Sequence, residues 1–241
     1  MQTQHIDRHH YTYVLLDLII KGSCSDFELA KGLISAGADI NAFINAQELI
    51  SPGVDINAFI NTEHLKCWGV DINAFINTFD DTKYTPLMVV AGLDISINAV
   101  DFLLKKGANV NIVNEKQTSA LMYAASRSRK DTVKLLLDNE ADVNKANDAG
   151  KTALMLAAQN DQILDDEKVD QKEVVELLLK EGADIHIASK NGETALHIAA
   201  ENGHSNVVKL LLDRGADRDK GDKYGFTPLM LAAQEGNLEA V

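Results

Sequence analysis

Three groups of side chains in this 241-residue chain are of types that could do chemistry. His5, His9 and His10 cluster near the N-terminus and are of metal-ligating type, but a chain terminus offers no fixed ligand geometry. Asp161, Asp165, Asp166, Glu167 and Asp170 crowd one acidic stretch. They lack the alternating oxygen ligands and central glycine of a calcium loop, so the stretch reads as a solvated acidic segment. His197 has the titration range of a general base, and His204 follows seven residues later. The chain contains no His-Glu-x-x-His, no Gly-x-Ser-x-Gly, no phosphate-cradling glycine-lysine loop and no dinucleotide glycine fingerprint. Cys24 and Cys67 stand 43 apart with no Cys-x-x-Cys, which excludes a disulfide framework or zinc ribbon and fits a reducing compartment. The expectation is therefore no catalytic residue, no metal and no cofactor.

Bulk composition narrows the classes further. Hydrophobic residues make up 46% of the chain, enough for a folded protein. The formal net charge of −13 disfavours nucleic-acid phosphate as a partner and favours a basic protein surface, beside its plain effect on solubility. The apolar run 11–20 is only ten residues long and carries Asp17, too short for a membrane span. Asp17, with Lys21 and Cys24 where small residues should precede cleavage, makes a poor signal peptide, and a lipoprotein reading at Cys24 fails on Lys21.

What must position any functional side chain is a repeated unit, clearest at 190–222. Thr194 precedes an apolar run and can cap a helix with its hydroxyl. Leu196, Ile198, Ala199 and Ala200 then fall on helical spacing, and the small alanines allow a second helix to come close. Asn202 and Gly203 break that helix. A second, 205–213, carries Val207, Val208, Leu210, Leu211 and Leu212, and Gly215 can take the left-handed conformation that ends it. Two helices of this size cannot bury both apolar faces alone, so copies must stack on either side. The start recurs as Thr85-Pro86-Leu87-Met88, Ser119-Ala120-Leu121-Met122, Thr152-Ala153-Leu154-Met155, Thr194-Ala195-Leu196-His197 and Thr227-Pro228-Leu229-Met230, at intervals of 34, 33, 42 and 33. The end recurs as Gly107-Ala108-Asn109, Glu140-Ala141-Asp142, Gly182-Ala183-Asp184 and Gly215-Ala216-Asp217.

Over 81–241 this pattern resembles the ankyrin repeat, whose period of about 33 and Thr-Pro-Leu-His signature are specific. The resemblance implies an all-α solenoid of stacked helix-turn-helix units with β-hairpin-like loops, and a binding module rather than a catalyst. It also implies that the imidazole of His197 braces backbone, that His204 belongs to a turn, and that Asn111, Asn144 and His186 occupy the hairpin position that asparaginyl hydroxylases modify in some members. Partner-binding positions, carried over copy by copy, lie at the hairpin tip and the end of the first helix, on the concave side. They are Glu115, Lys116, Thr118, Ser126 and Arg127; Asp148, Ala149, Lys151, Gln159 and Asn160; Lys190, Asn191, Glu193, Glu201 and Asn202; and Lys223, Tyr224, Phe226, Gln234 and Glu235. Tyr224 and Phe226 are the expected aromatic anchors, with contact to a following copy as the competing role.

The array divides into 81–113, 114–147, 148–189, 190–222 and an unfinished unit 223–241. The third copy carries nine extra residues within 159–173, between its two helices. Residues 1–36 read as a degenerate capping repeat with helices at 11–21 and 26–36. Residues 37–80 hold irregular tandem blocks of 16: 37–45, 53–61 and 69–77 run nearly alike, each starting as the end of a repeat does. Segments 43–50 and 59–67 are either short helices filling one repeat's place or an irregular duplicated loop. The last unit lacks the leucines of its second helix, so its apolar face should stand open, as expected for a piece of a longer chain or one capped by further repeats or a partner. Two functional classes follow: a cytoplasmic adaptor that binds another protein, without chemistry, or the targeting segment of a larger enzyme or secreted effector.

Overall fold

Each recurring apolar run becomes a helix in the computed structural model, which describes residues 73, 76–77, 83–92, 97–159 and 171–237. The expectations for 1–36, for most of the 16-residue blocks, for the acidic residues of the insertion and for 238–241 fall outside the described residues.

A two-stranded antiparallel hairpin, β1 (Ile76–Asn77) and β2 (Lys83–Tyr84), pairs Ile76 with Tyr84. It leads into α1 (Pro86–Gly92) and α2 (Ile97–Lys105). The pairs α3 (Ala120–Ser126) with α4 (Lys130–Asp138), α5 (Ala153–Gln159) with α6 (Gln171–Lys180) and α7 (Ala195–Glu201) with α8 (Ser205–Asp213) follow, and α9 (Pro228–Gln234) opens the last copy. Within each pair the helices pack together. Along the array α1, α3, α5, α7 and α9 form one row, and α2, α4, α6 and α8 form a second. This is the two-layer solenoid expected from the spacing. The 42-residue interval leaves the order of stacking unchanged.

The core runs continuously between the rows. Leu87, Leu121, Leu154 and Leu196 are at most 2% exposed, as are Leu103, Leu136, Leu178 and Leu211 from the second helices. Burying a leucine contributes about 1.5–3 kcal/mol, so these eight positions hold the register of the stack. The alanine pairs Ala124–Ala125, Ala157–Ala158 and Ala199–Ala200 are also buried, which lets neighbouring first helices approach closely. In the last copy Ala232 stays buried but the outer face is open: Leu229 is 54% and Met230 53% exposed. Among the described residues no helix is long and apolar enough to cross a membrane.

Helix starts follow the expected chemistry. The hydroxyls of Ser119 and Thr227 accept from the N–H groups of Met122 and Met230 at 3.3 and 3.4 Å. At Thr194 the cap is reciprocal: the side chain accepts from the backbone of His197, whose ring in turn accepts from the Thr194 N–H at 3.2 Å.

Candidate functional site: the hairpin and first-helix surface

Each of the four hairpins that open at Asn114, Asn147, Ser189 and Asp222 is built around one side-chain oxygen. Asn114 Oδ1 accepts from the N–H groups of Lys116 and Thr118 at 3.0 and 2.9 Å. Asn147 Oδ1 does the same for Ala149 and Lys151, Ser189 Oγ for Asn191 and Glu193, and Asp222 Oδ1 for Tyr224 and Phe226. Short polar side chains suit this role because they reach backbone two to four residues ahead. Successive tips are then joined through their backbones: Asp148 N–H donates to the Lys116 carbonyl at 3.0 Å, Lys190 to Ala149 at 2.9 Å and Lys223 to Asn191 at 2.9 Å. Expected site residues thus belong to one laced edge, with the side chains of Lys116, Asp148, Ala149, Lys190, Asn191 and Lys223 exposed above it.

The hairpin edge and the first-helix ends form one surface. Lys151 Nζ donates to Gln159 Oε1 at 2.8 Å, crossing from hairpin to helix end within one copy. Glu201 at the end of α7 has its carboxyl raised above the usual range, first by burial and then by the charges of Glu193 and Glu235, with Lys151 opposing. Five expected residues from three copies, Lys151, Gln159, Glu193, Glu201 and Glu235, are therefore within electrostatic reach on one face. Glu193 is also held by Ser189, whose hydroxyl donates to Oε2 at 2.9 Å.

The remaining expected positions differ in what their side chains do. Tyr224 is 73% and Phe226 41% exposed, and Lys223 Nζ sits 4.9 Å from the centre of the Tyr224 ring. Arg127, Gln234 and Glu235 are exposed. Glu115 makes an ion pair with Lys83 of the preceding hairpin at 2.8 Å. Ser126 and Asn202 turn onto their own helices, the first donating to the Tyr123 carbonyl at 2.9 Å and the second to Ile198 at 2.8 Å. Thr118 is half-buried, and Asn160 lies outside the described residues.

Beyond those positions lies a ladder of asparagines at the opposite end of each hairpin unit. Asn111 Oδ1 accepts from the Asp142 N–H at 2.8 Å while its Nδ2 donates to the Glu140 carbonyl at 2.9 Å. Asn144 repeats this with Asp184 at 2.7 Å and Gly182 at 3.1 Å. Asn73 accepts from the Asn109 N–H at 2.7 Å, so the start of the third 16-residue block carries the acceptor half of the connector. The shared Gly-x-Asp/Asn-x-Asn pattern of 69–73, 107–111 and 182–186 carried that signal in the sequence, with histidine closing the last instance. At that last instance Lys220 Nζ donates to the carbonyl of His186 instead.

A family model for ankyrin repeats (3 copies) matches residues 26–147, 87–166 and 166–241. The chain belongs to the ankyrin-repeat family. The matches span the described array and reach back to residue 26. A search among curated proteins finds no match to the chain. Ankyrin repeats are in general modules of protein–protein interaction. His197 fills the last place of the family's start signature and braces backbone as that resemblance implies, its ring Nε2 lying 3.2 Å from the Phe226 carbonyl of the next copy.

Proposed function

We propose that this ankyrin-repeat chain is a non-catalytic adaptor that holds a basic, extended segment of a partner protein along its hairpin and first-helix surface. The observation that carries the reading is the convergence of Glu193, Glu201 and Glu235 on one face, with Lys151 the opposing charge and Tyr224 and Phe226 exposed on the adjoining hairpin. Burial, with the charges of Glu193 and Glu235 beside it, raises the proton affinity of Glu201, and a carboxylate so placed gains when a cation arrives. The exposed tyrosine and phenylalanine offer apolar area and π-faces to the same cationic side chains. The overall charge of −13 works in the same direction by drawing basic partners in.

The test is capture of partners from a cell extract with the intact chain, followed by titration of the retained protein at two salt concentrations. Tyr224→Ala with Phe226→Ala should weaken binding about tenfold or more while the melting temperature stays nearly constant. Glu201→Lys should weaken it further and flatten the salt dependence. Binding that ignores both changes, or that falls only in step with melting temperature, overturns the reading.

A further inference from the structure

Four of the five copies carry methionine at the fourth position of the first-helix signature, and one carries His197. In a methionine copy the side chain closes a local contact: Met88 Sδ accepts from the Thr85 N–H at 3.4 Å. His197 does that and reaches across the copy boundary. Its Nδ1 accepts from the Thr194 N–H at 3.2 Å and lies 2.8 Å from the Thr194 hydroxyl, while Nε2 lies 3.2 Å from the Phe226 carbonyl. An Nδ1 that accepts requires the proton on Nε2, so the neutral ring donates to Phe226. The residue is fully buried.

We propose that His197 is an acid-sensitive pin: its neutral imidazole fastens the hairpin bearing Tyr224 and Phe226 to the array, and protonation releases that hairpin. A second proton would place an Nδ1–H against the Thr194 N–H, with only the Thr194 hydroxyl at 2.8 Å to accept it, and leave a positive charge buried. The ring regains water only by leaving its buried neighbours, and among its described contacts Phe226 is the one in the next copy. Two carboxylates face the ring and favour the charged form, Glu193 from its own hairpin and Asp222 from the next. Both are already engaged, Glu193 by the Ser189 hydroxyl and Asp222 by the Tyr224 and Phe226 N–H groups. Burial outweighs them and the carbonyls of Phe226 and Lys220, holding the imidazole below its ordinary range. A lowered folded value means that the unfolded chain binds the proton more readily. The contribution is thus intact above the ordinary histidine range, near pH 6.5, and is lost as pH falls below it.

Hydrogen exchange of residues 223–237 at about pH 7.5 and about pH 5.5, corrected for intrinsic rates, tests the pin in the free protein. Relative to α5, these amides should exchange several-fold faster at the lower pH in the wild type. His197→Met, the residue of the other four copies, should abolish that dependence. His197→Gln, an uncharged donor and acceptor, serves if the methionine variant is poorly folded. Equal pH dependence in wild type and variant overturns the proposal, as does a His197 ring that titrates by NMR at or above about pH 6.5. The effect on a partner rests on the reading of the hairpin surface. Acid-weakened binding rescued by His197→Met supports the link. Exchange behaving as expected with binding indifferent to pH overturns the link and leaves the pin standing.

Discussion

Copies 114–147 and 190–222 have the same two helices, the same buried leucines and the same laced hairpin, yet they bend their backbones with different residues. Copy 190–222 passes through the left-handed region at Gly192, Gly203 and Gly215, with φ of 81°, 73° and 89°. Copy 114–147 does so at the equivalent places with Gln117, Ser128 and Glu140, at 56°, 51° and 65°. No other non-glycine residue among those described has positive φ. A side chain there costs about 1–2 kcal/mol through its Cβ and the following carbonyl. The turns form all the same, because the neighbouring copies on both sides hold the ends in place. The difference teaches that the local glycine code is sufficient for the turn but not required once stacking supports it.

Gly192→Gln, which gives the regular copy the residue of the irregular one, should have the largest effect. A Cβ at Gly192 would meet the Lys223 backbone nitrogen at 2.7 Å, at the joint between two hairpin tips. Loss of about 2 kcal/mol or more is expected in denaturant unfolding, the left-handed penalty plus the displaced joint. A loss under about 0.5 kcal/mol would show that the hairpin edge yields freely and that Gln117 is unstrained. Asn144→Ala tests the ladder that spans the boundary between copies 114–147 and 148–189. It removes an acceptor from Asp184 and a donor from Gly182, and about 1–2 kcal/mol should go with them. Retained stability would mean that water replaces the amide at no cost.

Glu140→Gly should have the smallest effect, and of opposite sign. Relief of left-handed strain is worth about 1–2 kcal/mol, and the added freedom of glycine in the unfolded chain returns about 0.4–1 kcal/mol of that. A net gain of about 0.5–1 kcal/mol is expected, whereas a loss would show that the Glu140 side chain makes a contact of its own that outweighs the strain.

The fold was legible because its signals are redundant. Threonine or serine, then leucine, recurs five times, paired alanines follow in four of those copies, and each instance supports the others even where proline or histidine has changed. The surface at the hairpin edge was legible as positions and not as contacts. Nothing local in the sequence brings Lys151 and Glu235 near Glu201, because that proximity comes from stacking copies that lie over 30 residues apart. The role of Asn73 was hidden differently. It sits in a block whose spacing to the next helix start is 12 residues, against 8 for Asn111 and Asn144, so register alone does not align it. The pair Ile76–Tyr84 lies eight residues apart, against six for Val113–Ser119, and the bond that Asn73 accepts before it is kept.

That connector has a consequence for how such a chain can grow. One amide side chain reads only the first backbone N–H and one carbonyl of the following unit's end, and it is blind to what lies between. Asn144 meets Asp184 at 2.7 Å across a copy nine residues longer than its neighbours, the distance that Asn73 keeps to Asn109. Duplication, expansion or replacement of a unit's interior leaves the coupling intact so long as the short end motif survives. An array joined in this way is tolerant of length in the same sense as a chain of shipping couplings: the wagons differ, and the hooks match.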